Sequence, residues 1–374
     1  MSAQDSVPTP AATAPIDPIP TTSTPDINAA PHDPEDPETG EIEDPDNESS
    51  RFYGPEPDSN PSDGDSALGD YRSTRSTSVS SYVYDYQYEN GRRYHARRYS
   101  TEYDLPNDEK ESDRLDLQHH LFLLTLSGAL HRAPISKNVQ EVLDVGTGTG
   151  IWAIDFADQY ESSKVTGTDL SPIQPAFVPP NCQFYVDNME EDWTFDHKFD
   201  YIHGRMIVVG MRNWERFFQQ CYDNLHPGGW VEIQDLNFPL RCDDGTAGPE
   251  SPPMTWSSLM IEGAAKLGVD LSASNRFRDI MSNVGFEEVT VEHHAWPINS
   301  WPKDQNEKEK GMWVLQNVLE GLQGFSMGYY TRGLRWRAEE VDVFLASVRE
   351  RMKDKRSHVY LPIGVFYARK PMGI

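Results

Sequence analysis

Cysteine is scarce in this chain. Only three of the 374 residues are cysteines, Cys182, Cys221 and Cys242. Their scattered positions give neither a disulfide framework nor the paired spacing of a zinc site. The sequence therefore predicts a protein of a reducing compartment that binds no metal.

Long apolar runs are also missing. The longest, such as residues 121–124 and 206–209, are far too short to span a bilayer. No basic start followed by an apolar stretch marks a secretory signal. We therefore expect a soluble protein without a membrane partner, located in the cytoplasm or the nucleus.

Positive charge is the third shortage, and it is most severe at the start of the chain. Residues 1–70 hold seventeen Asp and Glu against one basic residue, Arg51, and the first 61 residues carry 13 of the 28 prolines. Such a segment buries too little apolar surface to offset the entropy of ordering it. We expect a disordered acidic tail that serves as a solubilising segment or as a regulatory, partner-binding one.

Residues 71–132 differ in composition, with a basic and aromatic arm followed by a helical pattern. The arm could bind nucleic acid, but the run is short and the chain has a net charge of −27, so docking on the acidic domain is favoured. After Pro106, an acid-rich first turn and an apolar stripe predict a capping helix that reaches about Gly128. Basic and aromatic residues alternate at the end of the arm, where they are Arg92, Arg93, Tyr94, His95, Arg97, Arg98 and Tyr99.

A glycine turn organises the rest of the chain. An apolar run at 142–145 precedes G-x-G-x-G at 146–150, and a second strand at 164–168 ends on Asp169. A glycine turn with an acid about 20 positions later is typical of a doubly wound α/β sheet that binds a ribose-containing cofactor. A dinucleotide site would need a glycine where Ile151 stands, and no P-loop motif exists.

The charge expected at this site separates the possible cofactors. Asp144, Asp169 and Asp187 each stand at the end of a predicted strand. Three carboxylates disfavour a pyrophosphate and favour a cation. S-adenosylmethionine, with its sulfonium and ammonium against one carboxylate, has this charge. Asp169 is expected to accept from the ribose hydroxyls and Asp187 from the adenine amino group, although a plain Asp-Asn turn also explains Asp187 and Asn188.

Further patterns complete a sheet of about seven strands with helices on both faces. The pattern predicts helices at 213–225, 254–267 and 275–284, and an insertion at about 296–360 that is either helical core or a lid over the acceptor. The domains expected are the tail (1–70), the arm and capping helix (71–132), and a catalytic domain (133–374). The remaining strands are predicted at 183–186, 199–203, 230–234, 287–293 and 363–369.

Several stretches together resemble the fungal LaeA-like methyltransferases. The resemblance covers roughly residues 75–370, and W-A-I-D after the glycines and S-P-I-Q-P after Asp169 make it specific. It implies a class I, Rossmann-like methyltransferase fold, S-adenosylmethionine as cofactor, and a link to secondary metabolism or its regulation. The motifs are E-N-G-R-R-Y-H (89–95), L-P-N-D-E (105–109), D-R-L-D-L-Q-H-H (113–120), V-L-D-V-G-T-G-T-G-I-W-A-I-D (142–155), G-T-D-L-S-P-I-Q-P (167–175), V-P-P-N (178–181) and H-P-G-G-W-V-E (226–232).

The resemblance also assigns the cofactor site. One departure is Gly204, between His203 and Arg205, which is expected to loosen the end of the fourth strand. The resemblance carries over Asp144, Gly146, Gly148, Gly150, Asp169 and Asp187, and Leu170, Asn188 and His203 complete the residues expected to bind the cofactor.

The acceptor side is less defined, and no catalytic residue is assigned. Methyl transfer is an in-line displacement that depends above all on positioning. A hydroxyl or protonated amine would also need a general base, for which His119, His120 and His203 are candidates. Three functions remain: a small-molecule methyltransferase of secondary metabolism, a cofactor-binding regulator that acts through protein partners, and, least favoured, a nicotinamide-dependent oxidoreductase.

Overall fold

The computed structural model describes residues 86–89, 91–95 and 105–373, all within one compact unit, Arg72–Ile374. The predicted tail (1–70) lies outside the described residues, as do Arg97, Arg98 and Tyr99 of the arm. None of the helices in the described part of the chain is long and apolar enough to cross a membrane.

A sheet of seven strands forms the centre of the fold. Its order is β5-β4-β3-β6-β7-β9-β8, in which β3 to β7 run parallel and β9 is antiparallel to both of its neighbours. A separate hairpin of β1 and β2 precedes it. The predicted strand count is therefore confirmed. The strands are β1 Gln87–Glu89, β2 Arg92–Tyr94, β3 Glu141–Val145, β4 Lys164–Asp169, β5 Cys182–Val186, β6 Phe199–Arg205, β7 Leu225–Leu236, β8 Glu287–Pro297 and β9 Tyr360–Arg369.

In the part of the chain that the structure describes, seven α-helices surround this sheet. Several begin at side-chain caps that accept from the first-turn amides, including Asp108, Asn213 and Asp304. A 3₁₀ turn, Ala273–Arg276, precedes α5, and a π-helical turn, Tyr329–Gly333, follows α6. The helices are α1 Glu109–Thr125, α2 Ile151–Gln159, α3 Trp214–Asn224, α4 Pro252–Lys266, α5 Phe277–Val284, α6 Gln305–Gly328 and α7 Ala338–Lys353.

Alternate residues of β3 pack into two cores on opposite faces of the sheet. Val142 joins Trp152 and Phe156 of α2 in the smaller core. Leu143 and Val145 join the larger core, to which α3 to α7 contribute. Because successive strand side chains point to opposite faces, this division follows from the apolar run. It confirms the prediction of helices on both faces.

The strand β6 continues past the predicted end at residue 203. Gly204 pairs with Val145 on one side and Ile233 on the other. A Cβ at Gly204 would lie 2.9 Å from Ile207 Cδ1 and 3.1 Å from Ile233 Cδ1, so glycine gives these side chains room. The expected loosening at this strand end is therefore absent, and Arg205 is the last residue of the strand.

The helix α1 connects the hairpin to the sheet. Arg92 of β2 forms an ion pair with the cap residue Asp108, with Nε 2.6 Å from Oδ2. At the other end of α1, Thr125 Oγ1 accepts from Nε1 of the buried Trp296 at 2.7 Å. The helix α6 packs along α1, so elements from both ends of the domain meet over the carboxyl edge of the sheet.

Candidate functional site

The glycine turn after β3 has the backbone conformation that its sequence predicts. Gly146, Gly148 and Gly150 have φ of +68°, +59° and +82°. A Cβ at Gly146 would lie 2.6 Å from Ile207 Cγ2, and one at Gly150 would collide with the Phe184 ring. The turn is therefore tightly packed. Because its glycines carry no side chain, a ligand in the cavity beside the turn can approach the backbone closely.

A cavity at the ends of β3, β4 and β6, here the strand-end cavity, has an empty volume of about 870 Å³, its open mouth included. Two residues predicted to bind the cofactor do not line this cavity. Gly150 packs on Phe184, and Asn188 is buried beside Glu191. Of the nine residues predicted to bind a cofactor, seven line this cavity: Asp144, Gly146, Gly148, Asp169, Leu170, Asp187 and His203.

Asp169 closes one wall of the strand-end cavity. Its Oδ2 accepts from Gly148 N at 2.8 Å and its Oδ1 from Ser171 N at 2.9 Å. Burial, with a smaller contribution from Asp144, raises the pKa of Asp169 to about 6. Each carboxylate oxygen accepts more than one hydrogen bond, so Asp169 can still receive ligand hydroxyls.

Asp187 lies at the next strand end, just after β5. Its amide donates to the carbonyl of Asp169 at 2.9 Å, and its Oδ1 accepts from Asn188 N at 2.8 Å. Partial burial raises the pKa of the Asp187 carboxyl. One carboxylate oxygen thus orders the Asp-Asn turn, and the other remains available to the cavity.

His203 lies behind Asp144. Its Nδ1 donates to Asp144 Oδ1 at 2.7 Å, and its ring stacks on Trp152 at 3.7 Å with an interplanar angle of 7°. Thr147 Oγ1 donates to the other oxygen of Asp144 at 2.5 Å. His203 is fully buried, and this burial lowers its pKa. A neutral His203 therefore orients the Asp144 carboxylate.

A second, apolar cavity adjoins the first and has an empty volume of about 1010 Å³, its mouth included. Its walls come from α1, α4, α6 and the strands β7 and β9. Most of its lining is apolar, including Met206, Leu236, Phe238, Leu240, Trp256, Met260, Ile298, Val318, Phe325, Tyr329 and Leu361.

One polar strip crosses the apolar cavity. Arg114 Nη2 donates to Glu111 Oε1 at 2.6 Å, and Nη1 donates to Asn317 Oδ1 at 2.8 Å. Gln118 continues this face of α1; the residue is 5% exposed, and its side-chain amide has no hydrogen-bond partner among the described residues. The strip therefore holds one neutralised charge pair and one free amide.

None of the three candidate bases lines the apolar cavity. His119 is buried between Asp155 and Arg205, and His120 packs edge-on against Trp313 with ring centroids 5.6 Å apart. Neither His119 nor His120 lines either cavity, and His203 lines only the strand-end cavity. Sequence reasoning missed Gln118, although the spacing of 111, 114, 115 and 118 places these residues on one helix face.

The sheet order, the glycine turn and the acidic strand ends define a class I methyltransferase. The chain matches a family model described as a methyltransferase domain over residues 117–291. Methyltransferase pytC of Aspergillus terreus is 38% identical over 79% of this chain and 91% of its own length. Secondary metabolism regulator LAE1 of Cochliobolus heterostrophus is 35% identical, over 76% of this chain and 94% of its own.

A further relative and a solved structure are also similar to the chain. Protein-methionine methyltransferase laeA of Emericella nidulans is 34% identical over 76% of each chain. Phosphoethanolamine N-methyltransferase 2 of Haemonchus contortus, solved with S-adenosyl-L-methionine, covers 70% of this chain and 52% of its own at 17% identity and a TM-score of 0.40. The identities and coverages of pytC, LAE1 and laeA show that the chain belongs to the fungal LaeA-like family of S-adenosylmethionine-dependent methyltransferases. The predicted fold class, cofactor and enzyme class are thereby confirmed.

Proposed function

We propose that the strand-end cavity binds S-adenosylmethionine and that the apolar cavity binds the methyl acceptor. The observation that carries this proposal is the wall common to both cavities. In-line transfer needs the two reactants to face each other at close range, and adjoining cavities permit it. Five residues line both: Leu115, Gln118, Gly148, Asp169 and Met206.

The acidic groups of the strand-end cavity fit the hydrogen-bond donors of this cofactor. Asp169 binds the ribose hydroxyls, Asp187 the adenine amino group, and Asp144 the ammonium of the methionyl part. Gly146 and Gly148 admit the ligand closely, and Leu170 packs against it. Gly150, Asn188 and His203 contribute indirectly, through the turn, the strand end and the orientation of Asp144.

The cofactor supplies an electrophilic methyl group on a sulfonium. The chain itself positions the acceptor and excludes water with the walls of the apolar cavity. No histidine lines that cavity among the described residues, Glu111 is held by Arg114, and Asp169, which lines both cavities, is assigned to the ribose hydroxyls. The acceptor atom therefore attacks without a protein base: it is a thioether, a neutral amine or an already ionised oxygen, and any proton released afterwards goes to water.

Calorimetry on the full chain tests the cofactor part of the proposal. S-adenosylhomocysteine should bind, and NAD should not. Binding of NAD with no response to S-adenosylhomocysteine would overturn the assignment. An exposed acid, Asp192, offers a control substitution to alanine that should leave the affinity unchanged.

For the acceptor, we propose a small and largely apolar molecule of secondary metabolism. This rests on the lining of the apolar cavity and on the relative named methyltransferase pytC. A comparison of extracted metabolites from a deletion strain and from a strain with Asp169→Ala tests it. The two strains should lack the same methylated product.

A second candidate is a regulator that acts through protein partners, favoured by the relatives named as regulators of secondary metabolism. In that case the strain with Asp169→Ala should keep the metabolite profile that the deletion strain loses. We place the protein in the cytoplasm or nucleus and retain the division into a tail (1–70), an arm with its capping helix (71–132) and a methyltransferase domain (133–374) with its insertion at about 296–360.

A further inference from the structure

Arg205 has no assigned role, although it lines the strand-end cavity. We infer that Arg205 binds the α-carboxylate of the cofactor's methionyl part, as a partner for the one negative charge that S-adenosylmethionine carries. This inference rests on the proposed cofactor site and adds a residue that sets the orientation of the amino-acid end.

The position of Arg205 follows from the sheet. It is the last residue of β6, directly after Gly204, which pairs with Val145 at the end of β3. The glycine turn starts at Gly146, the residue that directly follows β3. Arg205 therefore stands at the same sheet edge as Asp144, on the side of the cavity away from Asp187, because β4 and β5 lie beyond β3.

Neighbouring side chains hold the Arg205 guanidinium in place. Its Nη2 donates to His119 Nδ1 at 3.0 Å, and His119 Nε2 donates to Asp155 Oδ2 at 2.9 Å. The guanidinium carbon also lies 5.0 Å from the centroid of the Phe122 ring, a cation–π contact. These contacts fix the orientation of Arg205 without neutralising its charge.

Both acids near Arg205 already have other partners. Asp144 accepts hydrogen bonds from His203 and Thr147, and Asp155 accepts one from His119, while within the described part of the chain Arg205 forms no ion pair. By contrast, Arg92 and Arg114, near the apolar cavity, pair with Asp108 and Glu111. Burial lowers the pKa of Arg205 to about 10, so it remains charged at neutral pH.

A sheltered guanidinium without a counter-ion is costly, and a ligand carboxylate removes that cost with two parallel hydrogen bonds. Three acids line the strand-end cavity and would repel a carboxylate elsewhere in it: Asp144, Asp169 and Asp187. Arg205 is the one arginine or lysine among the described residues of this lining. The cavity thus matches a zwitterion, with the ammonium near Asp144 and the carboxylate at Arg205.

The test compares two ligands that differ by one carboxylate. Calorimetry measures S-adenosylhomocysteine and its decarboxylated analogue on the wild-type chain, Arg205→Gln and Arg205→Lys. Wild type should prefer S-adenosylhomocysteine by about 10- to 100-fold, as expected for a charge-assisted pair. Arg205→Gln should lose this preference and bind the decarboxylated ligand within about threefold of wild type. Arg205→Lys should keep part of it.

Two controls separate recognition from structure. Arg216→Gln removes a surface arginine that pairs with Asp192 and should change nothing. His119→Gln keeps an acceptor beside Arg205 and should retain the preference even if Arg205→Gln does not fold. The inference is wrong if Arg205→Gln keeps the preference, or if it weakens both ligands equally. A wild-type chain that binds neither ligand would instead overturn the cofactor site itself.

Discussion

Replacing Asp169 with alanine should weaken cofactor binding strongly, because the proposed ribose contacts depend on its carboxylate. Each charge-assisted hydrogen bond contributes about 1.5–3 kcal/mol in a sheltered site. Water can enter the cavity and substitute in part, so the net loss should be roughly 2–4 kcal/mol. At about 1.4 kcal/mol per tenfold, the affinity for S-adenosylhomocysteine should fall ~30- to ~1000-fold.

The same substitution also affects the fold. Gly148 N and Ser171 N both donate to Asp169, and alanine removes their acceptor. Gly148 faces the cavity, where water can replace the carboxylate, whereas Ser171 is buried. An unsatisfied buried amide costs about 1–3 kcal/mol, so the free energy of unfolding should fall by about that amount. In Asp169→Asn the side-chain NH₂ group would face one of these amides, and two donors cannot form a hydrogen bond. This variant should therefore be no more stable than Asp169→Ala.

The pH dependence provides an independent check. The raised pKa of Asp169, about 6, means that its protonated form stabilises the fold below pH about 4, a contribution that is lost as the pH rises through 6. Ligand affinity runs the other way, because the hydroxyls donate to the ionised form. Wild-type affinity should therefore fall by up to about tenfold per pH unit below 6.

Calorimetry from pH 5 to 8 measures this dependence, at temperatures where thermal melts show each variant folded. Asp169→Ala should lose the pH dependence that arises from this group. If Asp169→Ala stays folded and binds within about threefold of wild type, the ribose is held elsewhere and the role proposed for Asp169 is wrong.

Three further results are expected. Gly150→Ala should destabilise the fold more than Gly245→Ala, since both have positive φ but only the Cβ at Gly150 meets a side chain; equal melting temperatures would contradict this. Glu111→Gln should lower the free energy of unfolding by about 2–4 kcal/mol, because it leaves Arg114 buried without its carboxylate, whereas the exposed Glu109→Gln should have little effect. S-adenosylhomocysteine should slow hydrogen exchange in α1 near Leu115 as well as at the glycine turn; protection of the turn alone would refute a covering role for α1.

The strand-end acids were predictable because their signals are local. An apolar run, a glycine turn and an acid at the next strand end lie within residues 142–169, and parallel strands bring their carboxyl ends to one edge. Asp144, Asp169 and Asp187 accordingly line one cavity. The same reasoning placed His203 among the residues that bind the cofactor, although it lies behind Asp144. Its burial against Trp152 depends on tertiary packing and leaves no local sequence pattern.

The apolar cavity could not be predicted in the same way. Its walls join α1 to α4 and α6, and the contact between Arg114 and Asn317 connects residues 203 positions apart. Such contacts decide how α1 is rotated. The sequence drew attention to the paired histidines His119 and His120, but the rotation turns Gln118 toward the cavities and His120 outward.

The helix α1 carries contacts to both cavities on neighbouring faces. Glu111 and Arg114 form the polar strip of the apolar cavity, Leu115 and Gln118 line the common wall, and His119 holds Arg205. These residues lie within about two and a half helical turns, so a small shift of α1 alters both cavities together. Substitutions that loosen α1 should therefore weaken cofactor and acceptor binding together, whereas those in α4 should affect the acceptor alone, because α4 lines only the apolar cavity.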